Sequence, residues 1–139
     1  MKNTGIVLAW IAGTLFVGWL LFFSTRSLQS DMFIQAVNKT LTQAEDVRRV
    51  EKELLGRTSL GNWYRFVGAN GEVEGNALLF SMFDNGILVP CIAFVSIAGE
   101  NAGKIEILPL NNHARAVFPY IHQGEIDIYR RRIEKEILP

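Results

Sequence analysis

No charged residue falls between Gly5 and Phe23, and apolar side chains fill almost all of that run. At about 1.5 Å per residue its 19 positions make a helix of roughly 28 Å, close to the hydrocarbon thickness of a bilayer. The run predicts a single N-terminal transmembrane helix. A cleaved signal peptide fits less well, because its apolar region spans about 7–15 residues and ends at a small-x-small site. The sequence Phe22-Phe23-Ser24-Thr25-Arg26 offers no such site. Gly5, Gly13 and Gly18 form no pair four residues apart, so no dimerisation seam is specifically indicated. Lys2 precedes the run, and Arg26 is the only cation between it and Lys39. The positive-inside rule then puts the N-terminus inside and the rest of the chain in a periplasm or intermembrane space.

After a polar juncture the pattern changes to a helix with one buried face. Ser30 or Asp31 is a fitting N-cap, and Phe33, Val37, Leu41 and Ala44 recur at helical spacing. Weak helix formers at 40–43 predict a break. A second helix follows over 44–55, with Val47, Val50, Leu54 and Leu55 on its apolar side and Gly56 as its C-terminal cap. From Asn62 the period becomes two. Strands are predicted over 63–67, 73–83, 87–97 and 104–108, and Glu125-Ile126-Asp127-Ile128-Tyr129 alternates as a further strand. Asn70-Gly71 and Asp84-Asn85-Gly86 predict tight hairpin turns, and 98–103 a further turn. Pro90 has no amide proton, so the third strand either starts after it or bulges there. Leu79, Ile92, Phe94 and Ile107 are predicted to be buried. Residues 111–123 read as irregular and 130–139 as a short helix. The fold class is therefore α+β: a membrane helix, then a helical hairpin packed on an antiparallel sheet of four or five strands. The expected domains are 1–29, anchor and juncture, and 30–139, an extramembrane domain.

Composition narrows the function classes. Fourteen basic and fourteen acidic residues leave no net charge, hence no electrostatic footprint for nucleic acid. Cys91 is the only cysteine, so there is no internal disulfide, and no Cys/His set for a structural zinc. His113 and His122 lie nine positions apart, with only Glu125 and Asp127 as nearby carboxylates. That is a poor metal set, and two loop histidines without a chemical role are the better reading. Cys91, in an apolar strand, reads as a buried structural thiol. Glu72 and Glu74 flank Val73 and read as two carboxylates on a wet strand face. The segment Gly99-Glu100-Asn101-Ala102-Gly103 lacks the Lys-Ser/Thr of a phosphate loop. Arg130-Arg131-Arg132 is followed by Glu134 and Glu136 and reads as a solvated helix end; Asn38-Lys39-Thr40 matches a glycosylation sequon. No catalytic, cofactor-binding or metal residue is assigned, no small-molecule substrate is implied, and an enzyme is not expected.

Three stretches carry a resemblance: 47–56, ending in Leu54-Leu55-Gly56; Asn76-Ala77-Leu78-Leu79-Phe80; and 98–105, a run of small residues leading into a strand. In layout the chain resembles the cytochrome c oxidase assembly factor one family, whose fold relative is the regulatory subunit of the mitochondrial presequence translocase. Arg57-Thr58 stands where that family usually has a proline after Leu-Gly. The resemblance implies a membrane-tethered interaction domain on a respiratory-chain complex of the mitochondrial or bacterial inner membrane, in contact with lipid and without cofactor or catalysis. The alternative of another class is an envelope component of a bacterial secretion or pilus apparatus.

Overall fold

The computed structural model describes residues 2–97 and 99–137, with the side chains at 2–6, 8–9 and 24–29 outside the description. One helix, α1, runs without interruption from Lys2 to Gln43. Five strands follow: β1 (Arg49–Arg57), β2 (Gly61–Val67), β3 (Val73–Asp84), β4 (Ile87–Ser96) and β5 (Ile105–Pro109). Helices α2 (Asn112–Val117) and α3 (Gln123–Ile137) close the chain, with 3₁₀ turns at Gly99–Asn101 and Phe118–Tyr120. The chain divides into two compact units, Met1–Gln35 and Ala36–Pro139.

The transmembrane helix expected over 5–23 is corrected. Among the described residues no helix is long and apolar enough to cross a membrane. The boundary expected after residue 29 falls inside α1, so neither Ser30 nor Asp31 caps a helix start. The side chains of Lys2 and Arg26, on which the topology expectation rests, lie outside the described residues. So do Ala98, Leu138 and Pro139.

The helical hairpin is also corrected. Helix α1 ends where weak formers were noted, and Glu45 takes the left-handed conformation at φ 60°. The chain then turns into β1, so 49–55 is strand where a second helix over 44–55 is expected. Val47, Val50, Leu54 and Leu55 fit helical spacing, but pairing with β2 overrides that local pattern. The strand is bulged twice and mostly exposed, as suits a charged sheet edge. Gly56 lies within it and caps no helix.

The sheet is an antiparallel meander in the order β1-β2-β3-β4-β5. Asp84-Asn85-Gly86 forms the expected tight turn, with φ 47° at Asn85 and 82° at Gly86, and β3 pairs with β4 along its length. Gly71 takes φ 77° in the loop joining β2 to β3. Pro90 neither starts the strand nor breaks its register. It sits opposite Ser81, and its carbonyl accepts from Leu110. A strand residue points its N and C=O to one side, so the missing donor faces the end of β5 and no bond to β3 is lost.

Both sheet faces are covered, because 77–80 and 91–95 are buried consecutively, not alternately. One face holds Trp63, Leu78, Phe80, Met82, Cys91 and Ala93 against Ala114, Ile121, Ile126 and Ile133 of the C-terminal elements. The other holds Tyr64, Phe66, Ala77, Leu79, Ile92 and Phe94. Leu79, Ile92, Phe94 and Ile107 are all buried, as expected. Glu125–Tyr129, expected as strand, belongs to α3. Its alternation lasts five residues, whereas Ile126, Tyr129, Ile133 and Ile137 hold helical spacing and pack on the core. Residues 111–120, expected as irregular, contain α2, capped by the Asn111 side chain on the Ala114 amide.

Gly75 marks a close approach of neighbouring strands in the sheet. A Cβ there would meet the Val95 carbonyl oxygen and lie 2.7 Å from the Phe66 ring. Gly75→Ala is expected to cost about 1–3 kcal/mol by overpacking, read as a shift in denaturant midpoint. A wild-type midpoint would contradict this packing.

Candidate functional site

The chemistry-bearing residues do not converge. His113 and His122 are exposed, one on α2 and one just before α3. The His122 carbonyl accepts from the Glu125 and Ile126 amides and so helps start α3. Asp127 accepts from Arg130 at 2.8 Å. Among the described residues no group of three or more His, Cys, Asp or Glu is placed to hold a metal. Cys91 is fully buried, and burial pushes its thiol up to about 12, slightly offset by the Met82 backbone. It carries no thiolate at neutral pH. Glu72 belongs to the β2–β3 loop, tied to Asn70, while Glu74 lies in β3. Arg130-Arg131-Arg132 lies in the middle of α3, not at a tail. Asn38 of the sequon uses both ends of its amide on β1: it donates to the Val50 carbonyl and accepts from the Val50 amide, at 2.9 and 2.8 Å.

Among the described residues the most connected polar cluster is one that residue spacing does not single out. After α1 ends, Asp46 accepts from the Arg48 amide at 2.9 Å and from the Arg48 guanidinium at 2.6 Å. Arg48 also donates to Glu106 of β5 at 2.7 Å, and its guanidinium lies 4.0 Å over the Phe94 ring. Phe94 in turn meets Phe66 edge to face at 4.8 Å. Burial alone would raise the Asp46 carboxyl; the hydrogen bonds and charge of Arg48 outweigh it and hold it below its usual value. Burial would lower the Arg48 pKa, and its two carboxylate partners raise it instead, so it stays charged. Arg115 donates to the Thr40 carbonyl at 2.9 Å, a cation at the C-terminal end of α1.

These groups wall a cleft of about 720 Å³, whose rim includes Glu45, Glu74, Lys104 and Leu108. Asp46 and Arg48 pair within the fold and Arg115 bonds a backbone carbonyl, while Glu106, sharing Arg48 with Asp46, keeps a half-exposed carboxylate. What remains is an amphipathic surface without a nucleophile–base pair. In the sequence Asp46 and Arg48 read only as polar positions of the helix expected over 44–55; an Asp bonding the amide two residues on is a turn signal that fits the structure.

The first unit presents a different surface. Trp10 is 73% exposed and Leu15 69%, with Phe16, Trp19, Leu21 and Phe22 each more than half exposed. Trp19 packs on Phe23 at 4.7 Å, and Trp10, Gly13, Thr14, Val17, Gly18 and Leu21 line a shallow groove. No protein-family model, no curated protein and no solved structure matches this chain. Of the three stretches behind the sequence resemblance, the one over 47–56 implies a helix, whereas 49–56 lies in strand β1.

Proposed function

We propose that this chain is a non-catalytic binding module, an accessory or assembly subunit that docks on a membrane-bound protein complex. The observation that carries this is the exposed apolar surface of 10–23. Contiguous apolar surface of this extent marks an interaction site, because leaving it in water is costly. The dispersed histidines, the buried thiol and a cleft without a nucleophile–base pair support binding over chemistry. The respiratory-chain complexes of a mitochondrial or bacterial inner membrane are the partner class that the sequence resemblance implies.

Purification from native membranes in mild detergent tests the reading. The chain is expected to elute with the subunits of one complex. His113→Ala, His122→Ala and Cys91→Ser are expected to leave that association and the cellular function unchanged. Replacing 2–23 by an unrelated helix is expected to abolish the association. Loss of function on a histidine substitution, with fold and complex intact, would contradict it.

A further inference from the structure

The two edges of the sheet are not equivalent. Edge strand β1 carries Arg49, Glu51, Lys52, Glu53 and Arg57 and is bulged twice, both of which discourage a further strand. Edge strand β5 is regular, reads Ile-Glu-Ile-Leu-Pro, and carries one charge. Its register fixes which backbone groups are free. Ser96 donates to the Lys104 carbonyl, Leu110 donates to the Pro90 carbonyl, and the residues between pair one to one. The bonded pairs are therefore Lys104, Glu106, Leu108 and Leu110 with β4. Ile105 and Ile107 turn their N–H and C=O away from β4, and none of the described hydrogen bonds reaches them. On the side-chain level, Lys104, Glu106 and Leu108 point to the face that lines the 720 Å³ cleft.

We propose that the β5 edge takes an extended segment of a partner protein as a sixth strand, bonded to Ile105 and Ile107, with alternate side chains over the cleft. This rests on the reading of the chain as a binding module and names the chemistry of the partner: an unpaired peptide backbone with a basic residue opposite Glu106. A second copy of this chain fits less well. The one antiparallel self-register that uses every free group of Ile105 and Ile107 sets Glu106 directly against its own copy, and like charges so placed repel. The other antiparallel registers leave an isoleucine carbonyl unused, because Pro109 has no N–H and the Gly103 amide already donates to Ser96.

Amide exchange and chemical shifts of the purified full chain in mild detergent test this without any native partner, so failure here is distinct from failure of the docking reading. In the free chain the Ile105 and Ile107 amides are expected to exchange on the order of 100-fold faster than those of Glu106 and Leu108. The probe is the peptide acetyl-Thr-Val-Lys-Val-Thr-amide. Its saturating addition is expected to slow Ile105 and Ile107 and to shift peaks along β5 alone. The same peptide N-methylated at alternate amides is expected to do neither, and replacing its lysine with glutamate is expected to weaken binding at least about fivefold. Equal effects of the N-methylated peptide, changes confined to β1, or no effect up to the peptide's solubility limit would overturn the proposal. Protection of Ile105 and Ile107 that grows with protein concentration alone would assign the edge to a second copy and equally overturn it.

Discussion

Replacing Phe94 with alanine is expected to lower the free energy of unfolding by about 3–5 kcal/mol. Phe94 is 1% exposed, in the middle of β4, and paired across to Ala77 and Glu106. Truncation removes its burial, its edge contact with Phe66 and the ring face beneath Arg48. The neighbours on that sheet face belong to paired strands and have little freedom to close the void, so the cavity term adds to the transfer term. Against a total stability of about 5–15 kcal/mol for a domain of this size, the variant is marginal at room temperature. Denaturant unfolding of the full chain measures the loss. Leu88→Ala, at a site 64% exposed in the same strand, is expected to stay within about 0.5 kcal/mol of wild type. Equal effects at the two sites would contradict the assignment of the core.

The second large effect is expected from Arg48→Met. Its side chain is 19% exposed and that of Asp46 11%, so methionine fills the space but leaves Asp46 without its cation. Losing charge-assisted bonds at this depth is expected to cost about 2–3 kcal/mol. The bond to Glu106, whose side chain is 47% exposed, contributes little of that. The sign of the pH dependence follows from the lowered Asp46 pKa. A carboxyl held below its unfolded value contributes stability that is full above that unfolded value, 3.8, and is lost as pH falls through the lowered folded one. In the variant the guanidinium's bonds and charge are gone and only the backbone amide of residue 48 opposes burial, so the carboxyl rises relative to wild type and protonation costs the variant less. The deficit relative to wild type is therefore expected to shrink as pH falls from 7 to about 3. A deficit that stays constant over that range would show that Asp46 and Arg48 are not the coupled pair.

The strands were legible because their cues are local. Asn85-Gly86 supplies the positive φ that a two-residue turn needs, and the runs on either side are β-branched and aromatic. The buried set around Phe94 followed from the same pattern. The misreadings came where a short window satisfied the wrong period. Val47, Val50, Leu54 and Leu55 match a helix in spacing, yet partner strand β2 and the left-handed turn at Glu45 decide the outcome. Glu125–Tyr129 alternates over five residues, too few to outweigh a helical repeat sustained to Ile137. The apolar run at 5–23 was legible as helix, but its extent beyond Phe23 was not, since nothing in Ser24-Thr25-Arg26 stops α1. The Asp46–Arg48–Glu106 cluster joins residues 58 positions apart and has no sequence period at all.

The proposed role makes the exposed apolar surface of α1 a docking surface for another protein. Photo-cross-linking from position 19 in intact cells, with p-benzoylphenylalanine in place of Trp19, tests it most directly. One dominant adduct to a polypeptide other than this chain is expected, and none from the same group placed at Arg131 on the exposed side of α3. Adducts to this chain alone, or no adduct from position 19, would contradict it.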